Sequence, residues 1–164
     1  MSKIVTISEL HPLMAETLQN DGKVILTITG TSMLPLLRHR KDRVCLMKPQ
    51  EQPLKKYDLP LFVREDGKYI LHRIVKVTPD GYEVTGDNQC FIEYPVRHSQ
   101  VICVVQGIFR GDRYISCDGF LYWGYCRFWV FAYPFRRLYL MGKQFLYRTI
   151  RHLKYRNGDW KNEG

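Results

Sequence analysis

Three residues that could cooperate in acyl transfer are spread over a short part of the chain. Ser32 stands in TGTSMLPLL, residues 29–37, directly after the apolar run VILTI, while His72 stands in YILHRIV and Asp87 in VTGDNQ. A serine hydroxyl becomes an effective nucleophile only with a base in hydrogen-bond reach and N–H donors placed for the oxyanion. A serine exposed on a turn at a strand end suits that role. A hairpin corner that merely contains a serine is the alternative.

His72 has the chemistry of a general base, because its unperturbed pKa of about 6.5 lies close to working pH. The period of two in a strand predicts that Ile70, His72 and Ile74 share one face, while Leu71 and Arg73 share the other. A histidine between apolar residues is more often a structural residue, and Gly-Asp-Asn is a common turn. Only the combination favours a catalytic hypothesis.

The residues between Lys23 and Cys117 have the pattern of short strands. Turn signals such as Asp66-Gly67 and Gly111-Asp112 recur about every ten residues. Seven segments have strand character, namely KVILTITG, DRVCLMKP, DLPLFVRE, KYILHRIVKVT, GYEVTGDN, QVICVVQGIFR and RYISC. This pattern predicts a mainly β domain with a coiled-sheet or barrel-like architecture over residues 23–118.

Helical segments are expected on both sides of this domain. Residues 1–22 form an N-terminal helical segment, in which SELHPLMAETLQN (8–20) is amphipathic and Ser8 is its expected N-cap. Residues 119–156 are expected to form an amphipathic helical tail in two pieces separated by Pro134. Residues 157–164 are polar and are expected to be a frayed C-terminus.

The second piece of the tail has one apolar and one basic side at 3.6 residues per turn. The apolar side contains Leu138, Met141, Phe145, Leu146, Ile150 and Leu153. The basic side contains Arg136, Arg137, Lys143, Arg148, Arg151 and Lys154. A helix with these two faces is typical of an interfacial membrane helix.

The positive charge of the chain is concentrated in this tail. Residues 1–119 carry 16 Lys and Arg against 14 Asp and Glu, whereas residues 120–164 carry 9 against 2. A basic tail favours anionic partners. We therefore expect peripheral attachment of residues 120–156 to an anionic membrane surface on the cytoplasmic side.

Three alternatives remain for the tail. It could pack on the β domain with its charges in solvent. It could insert into a membrane as a short hairpin over residues 119–142, although Arg127 opposes insertion. Nucleic-acid binding is the least favoured of the three.

Five cysteines occur in the chain, and none forms a C-x-x-C pair. An odd number without a framework indicates reduced thiols that serve as small packing residues. No histidine lies at metal-ligand spacing from a pair of them, so no metal and no cofactor is expected.

Four motifs in a fixed order resemble the signal peptidase I superfamily of serine peptidases. They are GTSMLP, YDLPLF, YILHRIV and VTGDNQ, and the resemblance covers about residues 24–106. It implies that Ser32 is the nucleophile, that His72 is the general base, and that Asp87 orients His72 and stabilises its charged form. A histidine base in place of lysine resembles the endoplasmic-reticulum, archaeal and sporulation-type branch.

The resemblance also implies roles for the residues around these three. The Ser32 backbone N–H, in the turn formed with Gly30 and Thr31, is the expected oxyanion donor. Met33 and Pro35 shape the turn and are the candidate substrate-binding residues, although local packing is the more common role of such residues. Asp58, Gly86 and Asn88 are expected to be structural members of the motifs.

The sequence departs from the family pattern at three places. Tyr57 stands where the family has a glycine before the aspartate. Gly30 stands where many processing peptidases have a serine, as it does in LexA-like and mitochondrial relatives. The usual N-terminal membrane anchor is missing, so delivery of the site across a membrane is not expected.

The resulting prediction is a serine endopeptidase that cleaves an extended leader or signal-like peptide with small residues near the scissile bond. The alternative is a non-catalytic or regulatory LexA-like module that binds a membrane or an anionic partner through its basic tail. Residues 1–29 contain neither an Ala-Gly nor a Cys-Gly bond of the kind that self-cleaving relatives cut.

Overall fold

The computed structural model describes residues 7–50 and 53–156. Within these ranges the protein is mainly β, with nine strands, three α-helices and one 3-10 helix. The strands are β1 Val24–Thr27, β2 Asp42–Met47, β3 Pro60–Val63, β4 Tyr69–Leu71, β5 Arg73–Thr78, β6 Gly81–Thr85, β7 Glu93–Val96, β8 Val101–Arg110 and β9 Arg113–Ser116. The helices are α1 Ile7–Gln19, α2 Phe120–Phe131 and α3 Tyr133–Arg156, with the 3-10 helix at His98–Gln100.

The strands form two antiparallel sheets. The larger sheet has the order β1-β2-β8-β3-β4, and β9 also pairs with β8. β8 has ten residues and serves as its spine, because β2 lies along one edge while β3 and β9 pair with opposite ends of the other. The smaller sheet has the order β5-β6-β7. The mainly β architecture predicted from the turn spacing is confirmed.

The chain passes from the larger to the smaller sheet at His72. β4 ends at Leu71 and β5 begins at Arg73, so the segment expected as one strand is two. The expected alternation of side chains persists through the break, because Ile70 and Ile74 belong to one core and Leu71 contacts the other. The histidine is therefore fixed by both of its neighbouring strands.

β7 was not predicted from the sequence. It contains Pro95, which has no N–H for a strand ladder and therefore lowers the strand signal. β7 is an edge strand of the smaller sheet, where a proline is tolerated.

Two apolar cores hold these layers together. The first lies between the larger sheet and the helices, and it includes Met14 and Leu18 of α1 and Tyr122 and Cys126 of α2. The second core joins the smaller sheet to β3 of the larger sheet and contains Leu54, Phe62, Ile74, Tyr82, Val84 and Val96. Complete burial of one such aliphatic or aromatic side chain contributes about 1.5–3 kcal/mol.

The helices agree with the sequence prediction in type but differ at their ends. α1 packs on the domain, yet Ser8 lies inside the helix, and its side chain is outside the part described. The break between α2 and α3 is at Ala132, because a proline such as Pro134 is compatible with a first helical turn. The residues predicted to be frayed, 157–164, also lie outside the described ranges.

Cys45, Cys103, Cys117 and Cys126 carry thiols that form no disulfide within the described residues. Cys45, Cys103 and Cys126 are buried, and Cys90 and Cys117 are half-buried. Across residues 7–50 and 53–156, no helix combines the length and the apolar character that crossing a bilayer requires.

Candidate active site

Ser32 lies in the turn between β1 and β2, residues 29–37, which we call the serine turn. Gly30 has a φ of 95°, a conformation that favours glycine. Its N–H donates to Nδ1 of His39 at 2.8 Å. The Ser32 backbone N–H donates to no group within the described ranges, which leaves it available for an oxyanion. Ser32 itself is half-buried.

The Gly-Asp-Asn turn, residues 86–88, lies directly against the serine turn. The Asn88 backbone N–H donates to the Ser32 carbonyl at 2.7 Å, and its side-chain Nδ2 donates to the Thr31 carbonyl at 3.2 Å. A Cβ at Gly86 would lie 2.6 Å from the Ser32 carbonyl oxygen. Gly86 and Asn88 therefore hold the two turns in close backbone contact.

The segment Tyr57-Asp58 is joined to β5 in a similar way. The Tyr57 N–H donates to the Ile74 carbonyl, and the Ile74 N–H donates to the Asp58 carbonyl, each at 2.9 Å. The Asp58 carboxylate accepts the Lys55 N–H at 2.8 Å across three residues of the chain. Tyr57 has a φ of 84°, which is uncommon for a residue with a side chain.

His72 is almost completely buried, with 2% of its surface exposed. Its ring meets the Phe62 ring edge-on at a centroid distance of 6.2 Å, and Nδ1 lies 3.8 Å from a carboxylate oxygen of Glu93. Nδ1 has no hydrogen-bond partner among the described residues. No hydrogen bond joins His72 to Ser32 in the same ranges.

Burial lowers the pKa of His72 to about 4, and the charge of Arg64 acts in the same direction. The negative charges of Glu93 and Asp87 oppose the shift. A neutral imidazole is the form that accepts a proton, so His72 is in the base form at neutral pH.

Asp87 does not contact His72 but forms a buried ion pair with Arg73. Arg73 Nε and Nη2 each donate to one carboxylate oxygen of Asp87 at 2.8 Å. Among the described contacts of Asp87, neither a hydrogen bond nor an ion pair reaches His72. This arrangement differs from the expected orienting role, because a buried guanidinium must be neutralised and takes both oxygens.

Helix α2 covers this ion pair. The Tyr125 hydroxyl donates to the Asp87 carboxylate at 3.0 Å, and the Trp129 indole N–H donates to the Asp87 carbonyl at 3.1 Å. Arg73 Nη1 also reaches the Cys126 sulfur at 2.7 Å and the Tyr122 hydroxyl at 3.3 Å. The first helix of the tail is therefore part of the site's framework.

Glu93 is the carboxylate near His72 that sequence reasoning missed. It lies on β7, where it pairs in register with Val84 of β6. Arg64 binds it in a bidentate manner, with Nε 2.6 Å from one oxygen and Nη2 2.5 Å from the other. The one sequence signal for Glu93 was an acidic residue shortly after the Gly-Asp-Asn turn. Because β7 was not predicted as a strand, Glu93 was not expected near His72.

The two candidate substrate-binding residues have different environments. Met33 is buried in the first core, so its side chain packs against the domain and does not face a substrate. Pro35 is exposed. The local-packing role therefore applies to Met33, because a long apolar side chain at the base of a turn is best placed in the core.

A cavity of about 510 Å³ lies elsewhere, beside the middle of β8 between the parts of that strand that pair with β3 and with β9. Its lining includes Leu59, Val105, Gln106, Cys117, Tyr122 and Cys126. None of the catalytic candidates Ser32, His72 and Asp87 lines it. Within residues 7–50 and 53–156, no group of three or more His, Cys, Asp or Glu side chains could hold a metal ion.

No protein-family model matches this chain, and no significant match to it occurs among the curated proteins.

Proposed function

We propose that the protein is a serine endopeptidase of the signal peptidase-like type, with Ser32 as nucleophile and His72 as general base. The observation that carries this proposal is the meeting of four sequence motifs that are far apart along the chain. A backbone hydrogen bond joins Asn88 to Ser32, and others join Tyr57 and Asp58 to Ile74. An ion pair between Arg73 and Asp87 connects these two pairs of motifs.

The backbone angles support the likeness to that family. The family has glycine at the position of Tyr57, and Tyr57 has a positive φ of 84°. A positive φ is the conformation that glycine adopts most readily. The departure from the family pattern thus puts a tyrosine in a backbone conformation that suits glycine.

The proposed reaction is acyl transfer through an acyl-enzyme. His72 accepts the Ser32 hydroxyl proton while Oγ attacks the scissile carbonyl, and the Ser32 N–H donates to the oxyanion. His72 then gives the proton to the leaving amine. In the second half, His72 deprotonates a water that attacks the ester carbonyl, and as the bond from the carbonyl carbon to Ser32 Oγ breaks, His72 returns the proton to Oγ. A serine–base hydrogen bond that the free enzyme lacks commonly forms only with substrate bound.

Glu93 replaces Asp87 as the proposed orienting carboxylate. Its oxygen lies 3.8 Å from His72 Nδ1, and its charge favours the protonated ring. An imidazolium forms during each half-reaction, so a carboxylate on the far side of the ring would stabilise the transition state. Arg64 holds Glu93 in place and shares its charge.

The proposed substrate is an extended peptide that binds by strand addition. β1 leads into the serine turn and is an edge strand of the larger sheet. An edge strand presents unpaired N–H and C=O groups that a peptide can use. Such a substrate needs a strand edge rather than an enclosed pocket, which agrees with the location of the cavity outside the site.

Labelling with a fluorophosphonate probe tests this function. We expect the full-length protein to be labelled, and Ser32→Ala and His72→Gln to lose labelling. Ser99→Ala, at another exposed serine, is the matched control and should be labelled normally. A comparison of protein N-termini in cells that carry wild-type or Ser32→Ala protein would then identify substrates. Equal labelling of all variants, with unchanged N-termini, would contradict the proposal.

A second candidate is a non-catalytic module with a LexA-like fold. Two observations favour it. No hydrogen bond joins Ser32 to His72 in the described ranges, and the Asp87 carboxylate is paired with Arg73 instead of His72. This candidate predicts no Ser32-dependent labelling in an otherwise folded protein. The same experiment therefore separates the two candidates.

A further inference from the structure

Helix α2 has two faces of different character. Its inner face includes the buried Tyr122 and Cys126, together with Tyr125 and Trp129, which donate to Asp87. Its outer face is apolar and in solvent, with Phe120 80% exposed. Leu121, Phe128 and Phe131 are exposed on the same side. An α-helix that merely completes a soluble core would carry polar residues there.

Helix α3 continues this exposed apolar character. Phe135 and Leu138 in its first turns and Phe145 in its middle are each more than two-thirds exposed. Large side chains at this helical spacing form a continuous stripe along one side. Contiguous exposed apolar surface of this kind marks a protein or membrane interaction site.

The charge of the two helices specifies the partner. Residues 120–156 contain eight Lys and Arg and no Asp or Glu. Several cations lie over aromatic rings, with the Arg127 guanidinium 4.6 Å from the Trp123 ring centroid and the Lys143 ammonium 5.9 Å from that of Tyr147. Side chains of this type keep the charged group in water while the stem covers apolar surface.

From these observations we infer that α2 and α3 dock on an anionic lipid bilayer surface, with the exposed aromatic residues in the headgroup boundary and the cations against lipid phosphates. Anionic headgroups complement the charge, and acyl chains cover the apolar side chains. This inference goes beyond the proposed peptidase function and does not depend on it.

Two other occupants fit less well. A second copy of this chain would place eight cations against eight of the same sign, which opposes a symmetric dimer through these helices. A single-stranded nucleic acid would neutralise the cations and stack bases on aromatic rings, but it would leave exposed aliphatic side chains such as Leu121 and Leu138 uncovered. A lipid surface satisfies both the charge and the apolar area.

The docking surface is directly connected to the candidate active site. Tyr125 and Trp129 bind Asp87, and the Gly-Asp-Asn turn in turn binds Ser32. Helix α2 and the Gly-Asp-Asn turn are therefore the two elements that lie between the docking surface and the serine turn. Docking through α2 would hold the site next to the membrane surface.

Vesicle flotation of the full-length protein tests the inference. The vesicles are phosphatidylcholine alone and phosphatidylcholine mixed with phosphatidylglycerol, and we expect flotation with the anionic vesicles. Because each basic side chain at an anionic surface contributes a factor of about five, Arg127→Gln/Lys143→Gln should weaken partition roughly 25-fold. Phe120→Ser/Phe131→Ser should also reduce it strongly. These residues are exposed, so the fold should be retained.

Two matched controls remove equivalent groups elsewhere. Leu13→Ser/Ile25→Ser removes two exposed apolar residues from α1 and β1, and Lys41→Gln/Lys48→Gln removes two exposed cations. Both should float like the wild type. Equal flotation of all variants, or no preference for anionic vesicles, would overturn the inference.

Measurements without lipid cover the other occupants. Light scattering that reveals a dimer lost in Phe120→Ser/Phe131→Ser, without flotation, would assign the surface to a second copy. Binding of a single-stranded oligonucleotide that the charge variant alone weakens, again without flotation, would assign it to nucleic acid. Either result would replace the lipid surface as the partner.

Discussion

The chemistry at the residue scale depends on how His72 is surrounded. The ring is held between Phe62 and Glu93 and is shielded from water, so its neutral form is favoured. A neutral base next to a fixed carboxylate is ready to accept a proton and to be stabilised once charged. Burial and the Glu93 charge thus act at different steps of the proposed reaction.

We predict that His72 makes the protein less stable in acid. Its pKa is about 4 in the folded protein and about 6.5 in an unfolded chain. The unfolded state therefore binds the proton more readily between these values, and stability falls as pH falls from about 6.5 to about 4. The loss attributable to His72 is roughly 3 kcal/mol.

Urea unfolding of wild type and His72→Gln across this range measures the difference. Carboxylates also titrate below pH 5, but they contribute to both proteins. The free energy of unfolding of the wild type should fall by about 3 kcal/mol more than that of His72→Gln between pH 6.5 and pH 4. A gap that stays constant with pH would contradict the predicted depression of the pKa.

We predict that Glu93→Gln lowers kcat of the proposed peptidase by a factor between about 100 and 10,000, with a smaller change in KM. The reason is loss of the charge that stabilises the imidazolium. Glu83→Gln is the matched control, since Glu83 pairs with Lys76 on the exposed side of the smaller sheet. Equal activity of the two variants would remove Glu93 from the mechanism.

At the scale of elements, the site is a junction of two turns, one strand and one helix. The serine turn lies on the Gly-Asp-Asn turn, that turn is held by Arg73 of β5, and α2 covers the ion pair. These contacts are a backbone hydrogen bond, a buried ion pair and side-chain hydrogen bonds from α2. The relative positions of the elements therefore depend on a few residues that take no part in the proposed chemistry.

We predict that Asp87→Asn destabilises the fold by about 3–5 kcal/mol, because it leaves the buried Arg73 charge without its partner. Thermal unfolding measures the effect. Asp66→Asn is the control, since Asp66 pairs with Lys68 on the surface, and it should leave the unfolding temperature unchanged. An Asp87→Asn protein as stable as wild type would show that the ion pair contributes little.

We predict that Gly86→Ala displaces the serine turn. The added methyl would meet the Ser32 carbonyl oxygen at 2.6 Å, a contact with backbone that cannot rotate away. Probe labelling of Ser32 should therefore fall even where the protein remains folded. Gly124→Ala is the control, because open space surrounds that position on α2, and it should label normally.

Across the whole molecule, the two helices of the tail, α2 and α3, differ in how far they are packed on the β domain. α2 is part of the packed domain through Tyr122 and Cys126, whereas the described side chains of α3 from residue 141 onward are exposed. The tail is therefore neither wholly packed on the domain nor wholly separate from it. This division explains why composition alone left both interpretations open.

We predict that a chain ending at residue 140 unfolds at the same temperature as the full chain but partitions less to anionic vesicles, because the described side chains that it loses from residue 141 onward are exposed. A chain ending at residue 118 should unfold at a lower temperature, since it also loses Tyr125 and Trp129 from Asp87. Calorimetry and flotation of the two truncated proteins check both statements.

The sequence alone determined the features that arise from local patterns. Alternation and turn signals located most strands, the 3.6 period located the tail helices, and the glycine-containing motifs marked the two turns that meet at Ser32. These features were predictable because their causes, such as side-chain period and glycine at close backbone approach, act between near neighbours in the chain.

The pairing of charged side chains around the site emerges only from the tertiary fold. The resemblance to signal peptidases implied that Asp87 orients His72. In the fold Asp87 pairs with Arg73, and Glu93, on a strand that was not predicted, lies near the histidine. The physical reason is desolvation: an ion pair forms where packing removes two groups from water together. Which two charged groups are buried together depends on how the sheets and helices pack, and no local sequence pattern predicts that packing.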